Sequence, residues 1–499
     1  MNSETYYPSL STFLEQSRSA NRLTVSCDYF GDTETPVTAY AKLRGFGPSF
    51  MLESVVGGEK LARYSFLGCD PDLEIVIYKD RTILRHRSGE VETRPTGADP
   101  LNDLEQLMGS YKTLPHQPDQ PVFTGGAVGF VSYEYVHFIE PTVPCPEKDD
   151  LGMPIAYFVI TESVVIFDHA RQKLTISASV DSASDPEAAY QKAVDSIQRT
   201  RARLSRNYSY PLSALSSSEA STAVQSSFER ADFENAVMKV KDYILEGDVF
   251  QTVLSQRFSM DYPLSPLDLY RSLRNINPSP YMVLLESPEF AVVSASPEIH
   301  VKLQDRQVEI RPIAGTRPRG RTWEDDLALE KELLADRKEK AEHLMLVDLA
   351  RNDIGRVCKI GSVEIPQFMI IERYSHVMHI VSQVLGVLDD DKSAFDLLRA
   401  TFPAGTVSGA PKVRAMQIIS DLEKAQRGVY SGALGYFSFD GNHDSCIAIR
   451  TAIIKNGKIY FQSGAGIVAD SKPENEYEET LNKAKGMLRA VQQSLAFTR

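Results

Sequence analysis

Two periodicities alternate along the chain. Short apolar runs bounded by turn residues predict strands at Ser49–Ser54, Arg63–Gly68, Leu73–Tyr78 and Thr124–Tyr133. Val159–Phe167 and Leu174–Ser179 follow as a further hairpin, and helical spacing begins at Pro186 and runs to Leu204. After residue 228, Phe233, Val237, Val240 and Ile244 form a helix stripe that Gly247 closes, and a strand-like run over Gly247–Arg257 follows. A proline-stiffened turn, Asn277–Met282, enters a strand at Val283–Glu286. Cys446–Lys455 and Lys458–Gln462 flank Asn456-Gly457, a strong hairpin signal. The chain ends on a helix whose buried stripe is Tyr477, Leu481, Ala484, Leu488 and Val491. Ser471 and Glu474 read as its capping box and Pro473 as its first turn, with Gly464-Ala465-Gly466 a glycine-rich loop leading in. The elements are mixed, with no regular βαβ alternation.

Composition adds a boundary. Residues 205–227 are serine-rich and read as a linker between an N-terminal domain, 1–204, and a second domain, 228–499. No internal repeat is legible across it. A net charge of −13 over 499 residues argues against nucleic acid as a partner. No apolar run approaches the length of a membrane span, and the first residues are polar, without a signal-peptide core. The five cysteines, scattered and odd in number, fit reduced thiols in a cytoplasm. There is no G-x-C-x-G elbow for a glutaminase, and no G-x-G-x-x-G or P-loop for a nucleotide.

Charge placement changes the picture more. Glu476 and Glu479 share a face at the start of the last helix, and Glu339 and Glu342 repeat the spacing on an earlier long helix. Four carboxylates from two helices would resist ionisation unless a cation lay between them. Hard oxygen ligands of this kind suit Mg²⁺, with room for a substrate carboxylate. Arg450, among isoleucines, needs an anionic partner, and Glu298 is a lone acid after a buried run. The basic loop Ile310–Gly320 and the small-residue loop Thr401–Lys412 are candidate anion cradles. His376 and His379 lack a third ligand at zinc spacing.

The ordered motifs Arg311-Pro-Ile-Ala-Gly-Thr-Arg-Pro-Arg-Gly320, Asp348-Leu-Ala-Arg-Asn-Asp353, Thr401-Phe-Pro-Ala-Gly-Thr406 and Gly464-Ala-Gly-Ile-Val-Ala-Asp470 resemble those of the chorismate-using enzymes, over about Phe228 to Leu488. Members that activate water resemble one another in a lysine where this chain has Gln251, and the aminodeoxychorismate enzymes carry P-I-K-G-T where it reads Pro312-Ile-Ala-Gly-Thr316. With neither lysine, the chain is similar to the ammonia-using member that converts chorismate to anthranilate and pyruvate at the start of tryptophan biosynthesis. The isochorismate, salicylate and aminodeoxychorismate reactions are the alternatives within the family, and a non-catalytic amino-acid-binding subunit is the alternative outside it.

The resemblance implies an α+β fold, two antiparallel sheets packed as a sandwich with helices outside and the N-terminal segment against the catalytic one. It implies Glu342 and Glu479 as direct Mg²⁺ ligands, with Glu339 and Glu476 completing the shell. Thr316, Tyr430, Arg450, Gly464, Ala465, Gly466 and Lys483 are implied around the substrate. Glu298 is implied as the acid that protonates the leaving C4 hydroxyl, His379 as the residue assisting elimination, and Gln251 and Thr406 beside the reacting ring. Glu53, Ser54, Pro280, Tyr281, Met282, Tyr436 and Cys446 are implied as a tryptophan feedback site. One departure is Met51, which replaces the leucine opening an L-L-E-S motif. Ammonia is expected from a separate glutamine amidotransferase subunit in a heterotetramer.

Overall fold

The computed structural model describes residues 4–497 except 46, 56–62, 117–119, 209–223 and 375–376. Most of the serine-rich linker and His376 therefore lie outside the described residues. The strands used below are, in the N-terminal segment, β1 (Arg22–Phe30), β2 (Ser49–Glu53), β3 (Tyr64–Cys69), β4 (Leu73–Ile77), β5 (Arg81–His86), β6 (Gly126–Val131), β7 (Ala156–Thr161), β8 (Ser163–Asp168) and β9 (Lys173–Asp181). After the linker come β10 (Gln251–Asp261), β11 (Tyr281–Glu286), β12 (Ala291–Ser296), β13 (Ile299–Gln304), β14 (Gln307–Ile310), β15 (Ile313–Pro318), β16 (Val377–Val387), β17 (Ala433–Ser438), β18 (His443–Ile447), β19 (Thr451–Lys455) and β20 (Lys458–Ile467). The helices are α1 (Pro186–Leu204), α2 (Arg230–Leu245), α3 (Pro266–Ile276), α4 (Arg337–Gly355), α5 (Lys412–Glu423) and α6 (Pro473–Leu495).

Among the described residues the strands form two antiparallel sheets, one of 13 strands and one of 12. The inner faces pack together through Phe50, Phe66, Phe130, Tyr157, Val283 and Val292. Alternation along a strand turns the next residues outward, so Met51, Met282 and Leu284 meet a second core covered by α1, α3 and α6. The other sheet buries its outer face beneath α4. This is the expected α+β sandwich with helices outside.

Each sheet draws strands from both sides of the linker. The first contains the order β1-β9-β8-β3-β2-β11-β12-β19-β20-β10, and the second β14-β13-β18-β17-β6-β7-β4-β5. Each order reads as a mirror about its middle, where β2 pairs β11 and β17 pairs β6. The architecture is thus duplicated, although no repeat was legible in the sequence. Two echoes survive: Pro186-Glu187-Ala-Ala-Tyr190 opens α1 as Pro473-Glu474-Asn-Glu-Tyr477 opens α6, and Asp70-Pro71-Asp72 stands where Ser296-Pro297-Glu298 does. Ala189 and Lys192 occupy the places of Glu476 and Glu479, so only the second half keeps the acidic pair.

Three expected elements differ. Val159–Phe167 is not one strand: it breaks at Glu162, β7 lying in one sheet and β8 in the other. Cys446–Lys455 likewise breaks at residues 448–450 into β18 and β19. The Gly464-Ala465-Gly466 stretch is the end of β20, not a loop. A continuous apolar run cannot reveal a change of sheet, because both halves are buried on both faces.

Candidate active site

The site grows from a double crossover. β12 leaves the first sheet through Pro297-Glu298 and enters the second as β13, while β18 leaves the second through residues 448–450 and enters the first as β19. β12 pairs with β19 and β13 with β18, so both chains cross at one level. The Ile447 amide donates to the Glu298 carbonyl at 3.0 Å, and the Ala295 amide to the Arg450 carbonyl at 3.1 Å. Arg450 is the pivot, at φ +52°, and not an in-register strand residue.

Glu298 and Arg450 emerge together from this corner. Burial pushes the Glu298 carboxyl up to about 7, against the opposing pull of Thr406, Lys483 and Arg450. Burial also lowers the Arg450 guanidinium, Glu298 pulling the other way. The Arg450 side chain is walled by protein yet open to solvent, and no hydrogen bond or ion pair to another described residue engages its guanidinium. It is a cation held ready for an anion.

The floor is β20 against β10, with Gly466 opposite Val253 and Gly464 opposite Ser255. A Cβ at 464 would meet the Leu254 carbonyl at 2.7 Å and the Tyr430 hydroxyl at 2.8 Å; one at 466 would meet Gln251 Nε2 at 2.6 Å. Only glycine allows those side chains to lie flat on the strand. Ala465 turns its methyl into the core beneath α2 and α5, so it offers no side chain to the site. Lys483 reaches back from α6 to the Gly464 carbonyl at 3.0 Å.

Glu339 and Glu342 on α4 and Glu476 and Glu479 on α6 border one region, where Glu342 and Glu479 interact across the two helices. Burial, then repulsion from Glu339 and Glu479, raises the Glu342 carboxyl, which also accepts from Gln251 at 3.4 Å. Burial raises Glu476, with Glu479 adding to it and a Ser471 hydrogen bond opposing. Glu339 is held by Arg317 at 3.3 Å and Glu479 by Lys483 at 2.8 Å. Among the described residues no three His, Cys, Asp or Glu side chains converge closely enough to hold a metal ion. The donor chemistry nevertheless fits a hard dication, because the charge that raises Glu342 comes from both helices and a cation between them would relieve it. The expected capping box is absent: Lys472 is the N-cap of α6, and Ser471 Oγ accepts instead from the Val468 amide at 3.0 Å.

His379 lies opposite Thr316 across β16 and β15. Its Nδ1 is 3.0 Å from both the Gly315 carbonyl and Thr316 Oγ1. A carbonyl can only accept, so Nδ1 carries the hydrogen and Nε2 is left as the base. Burial lowers its pKa, the Gly315 carbonyl opposing and Arg450 lowering it further.

A second cavity, of about 300 Å³, opens between the sheets where β2 meets β11 and is lined by Leu52, Glu53, Ser54, Pro280–Val283 and Tyr436, among others. Ser54 Oγ is buried there without a hydrogen-bond partner among the described residues. Glu53 does not offer its carboxylate to this cavity: it lies on the opposite face, bound to Tyr270, to Arg274 Nε at 3.2 Å and to Ser65 at 3.3 Å. Met282 turns to that same far face, and Cys446 is packed behind Tyr436 in the inter-sheet core. Two further acids line the cavity, Glu309 and Asp444; Asp444 accepts from Tyr281 at 2.9 Å and is raised by burial.

Sequence reasoning also missed a support beneath the site. Arg427, 2% exposed, donates to Glu423, to the Val407 and Val253 carbonyls and to Ser431, and its guanidinium stands 5.6 Å from the Tyr430 ring. It ties β10 to the Thr406 turn. No signal in the sequence marked it, because α5 ends at Glu423 and Lys424 turns left-handed, so the four-residue spacing is not a helical one. Among the described residues no helix is long and apolar enough to cross a membrane.

The model of the chorismate binding enzyme family matches residues 48–489, well beyond the stretch from which the resemblance was read. The chain is 46% identical over 495 residues to anthranilate synthase component 1 of Acetivibrio thermocellus, covering 98% of this chain and 99% of the relative. It is 47% identical over 476 residues to that of Pseudomonas aeruginosa, covering 94% and 96%. The structure of anthranilate synthase component I from Streptococcus pneumoniae superposes with a TM-score of 0.75 at 38% identity, over 92% of this chain and 98% of that one. A menaquinone-specific isochorismate synthase of Escherichia coli shares the fold, with a TM-score of 0.69 at 17% identity over 97% and 98% of the two chains.

Proposed function

The chain belongs to the chorismate binding enzymes, and from that premise we propose that it is the component of an anthranilate synthase that aminates chorismate and eliminates pyruvate. The observation that carries this is the crossover pair: a carboxyl raised to about 7 beside a guanidinium that has no partner among the described residues. Arg450, Tyr430 and the backbone of Gly464 and Gly466 hold the enolpyruvyl carboxylate. Mg²⁺ held by Glu342 and Glu479, with Glu339 and Glu476 around it, would neutralise and anchor the ring carboxylate. Ammonia adds at C2, ordered by Gln251, whose amide cannot serve as a base for water. Glu298 gives its proton to the departing C4 hydroxyl. His379 Nε2 then takes the C2 proton as pyruvate leaves and the ring becomes aromatic. Ammonium salts support the reaction with the purified chain, the rate rising with free NH₃, and glutamine alone does not; turnover with glutamine alone, or none with ammonium, contradicts this reading.

His379→Ala separates the two halves. Amination continues while elimination slows by about 10²-fold or more, the scale of a lost general base. An aminated, non-aromatic intermediate then accumulates and is seen by quenching and chromatography. If anthranilate and residual chorismate are the only species found, His379 does not serve the elimination.

The inter-sheet cavity serves tryptophan as feedback inhibitor. Its apolar wall at Pro280 and Tyr281 suits an indole, the Ser54 hydroxyl has no partner among the described residues, and Asp444 and Glu309, rather than Glu53, are the acids available to an ammonium group. A ligand there sits on the seam between β2 and β11 and favours one arrangement of the two segments. Ser54→Phe fills the cavity, so initial rates become insensitive to tryptophan while uninhibited turnover is retained. An unchanged inhibition curve in the variant, or no inhibition of the parent, removes the assignment. In the cell a glutamine amidotransferase subunit supplies the ammonia in a heterotetramer, and the five unpaired cysteines fit a cytoplasmic location.

A further inference from the structure

Two motifs remain without a role, the Asp348–Asp353 stretch and the end of Thr401–Lys412, and the structure joins them. Lys412 Nζ lies 2.6 Å from Asp353 and 3.3 Å from the Thr401 carbonyl. The Asp353 side chain is 12% exposed at the far end of α4. Between this pair and Glu298 runs a cavity of about 40 Å³, lined by Glu298, His300, Arg311, Thr406, Thr401 and Asp353. One wall is the α4 stripe Leu346, Leu349 and Ala350, which continues the face that carries Glu339 and Glu342.

Two of the lining groups have buried polar atoms that close no hydrogen bond with a described residue, His300 Nε2 and Thr406 Oγ1, and Arg311 Nε has only a 3.9 Å ion pair with Glu309. The Thr401 carbonyl stands near the His300 ring and Thr406 near Glu298, but neither is within hydrogen-bond geometry. His300 is 3% exposed and bonded at Nδ1 to Ser445. Burial holds its pKa near 3, so it is a neutral ring and not a competing acid. A buried polar atom needs a partner, and a space of this volume exceeds the roughly 10–15 Å³ that a water requires.

We propose that this cavity holds a short water chain through which Glu298 regains its proton in every turnover, with the Asp353–Lys412 pair as the entrance from solvent. The proposal rests on the reading of Glu298 as the acid. In amination the nitrogen lone pair forms the C2–N bond, the ring double bonds shift, and the C4–O bond breaks. The oxygen leaves as water with the Glu298 proton, while the ammonium nitrogen loses one proton on the other side of the ring. Glu298 is then a carboxylate beside Arg450 and Lys483, in a pocket occupied by the aminated ring. One proton must return by another face. The cavity meets Glu298 from behind: none of Arg450, Lys483, Tyr430 and Glu342 is among the described residues that line it.

Two variants test this without touching the substrate pocket. Ala350→Leu narrows the cavity, and the double change Asp353→Asn with Lys412→Met removes the entrance while leaving no unpaired buried charge. Both are assayed with saturating chorismate and ammonium, alongside Glu298→Gln. Each slows amination by roughly tenfold, well short of the loss of the acid itself. KM for chorismate is unchanged, the solvent deuterium isotope effect on kcat rises above that of the parent, and added imidazole buffer restores part of the rate. No intermediate accumulates, because elimination does not use this proton. Unaltered kcat in the folded variants, or slowing with an unaltered isotope effect, overturns the water chain. A Glu298→Gln enzyme that still aminates chorismate overturns instead the reading on which it rests.

Discussion

Glu298→Gln lowers the rate of chorismate amination by about 10²- to 10⁴-fold, the contribution of a positioned general acid, or about 3–5 kcal/mol of transition-state stabilisation. The substitution keeps the shape of the corner, since the backbone bonds from Ile447 and Ala295 that form it do not involve the side chain. Arg450, Tyr430 and Lys483 remain, so binding of chorismate, followed by fluorescence quenching or calorimetry, stays near the parent value. The pH profile gives a second reading. The carboxyl is an acid only while protonated, so at saturating free NH₃ kcat falls as pH rises through about 7. That limb disappears in the variant. Retention of more than about a tenth of parental activity, against the 10²-fold minimum expected of the acid, contradicts the assignment.

The second large effect is at the acidic helices. If Mg²⁺ sits as proposed, Glu342→Gln or Glu479→Gln removes a charged ligand from it, and each costs about 2–4 kcal/mol in kcat/KM. The Mg²⁺ activation curve moves to higher concentration in both. Glu339→Gln is milder, because Arg317 already engages that carboxylate. Near-full activity of either direct-ligand variant at limiting Mg²⁺ shows that the ion lies elsewhere. Since mutual repulsion contributes to the raised carboxyl of Glu342, Glu479→Gln also brings the Glu342 pKa down in the metal-free protein, a change visible by NMR titration.

Much of this was legible in the residues. Helical spacing placed α1, α2 and α6, and the paired E-x-x-E spacing placed four glutamates on two helices. Arg450 was flagged because a guanidinium in an apolar run wants an anion. What stayed hidden was the change of sheet at Glu162, Glu298 and Arg450. Hydrophobic runs report burial and not which sheet a strand joins. The same limit misdirected Glu53: its acidity suggested a ligand, but one residue of register decides the face, and Ser54 rather than Glu53 turns inward. The duplication was hidden because its two copies retain a common backbone plan and little more than a Pro-Glu-x-x-Tyr echo. Asp353 with Lys412, and Glu423 with Arg427, are contacts that need the folded chain to be seen as pairs with a purpose.

The most direct test is the product itself. The purified chain is incubated with chorismate, Mg²⁺ and ¹⁵N-labelled ammonium, and the products are resolved by chromatography with mass detection. The account predicts anthranilate carrying the labelled nitrogen and pyruvate in equal amount. Isochorismate, salicylate or an aminated ring that retains its enolpyruvyl group as the main product would contradict it.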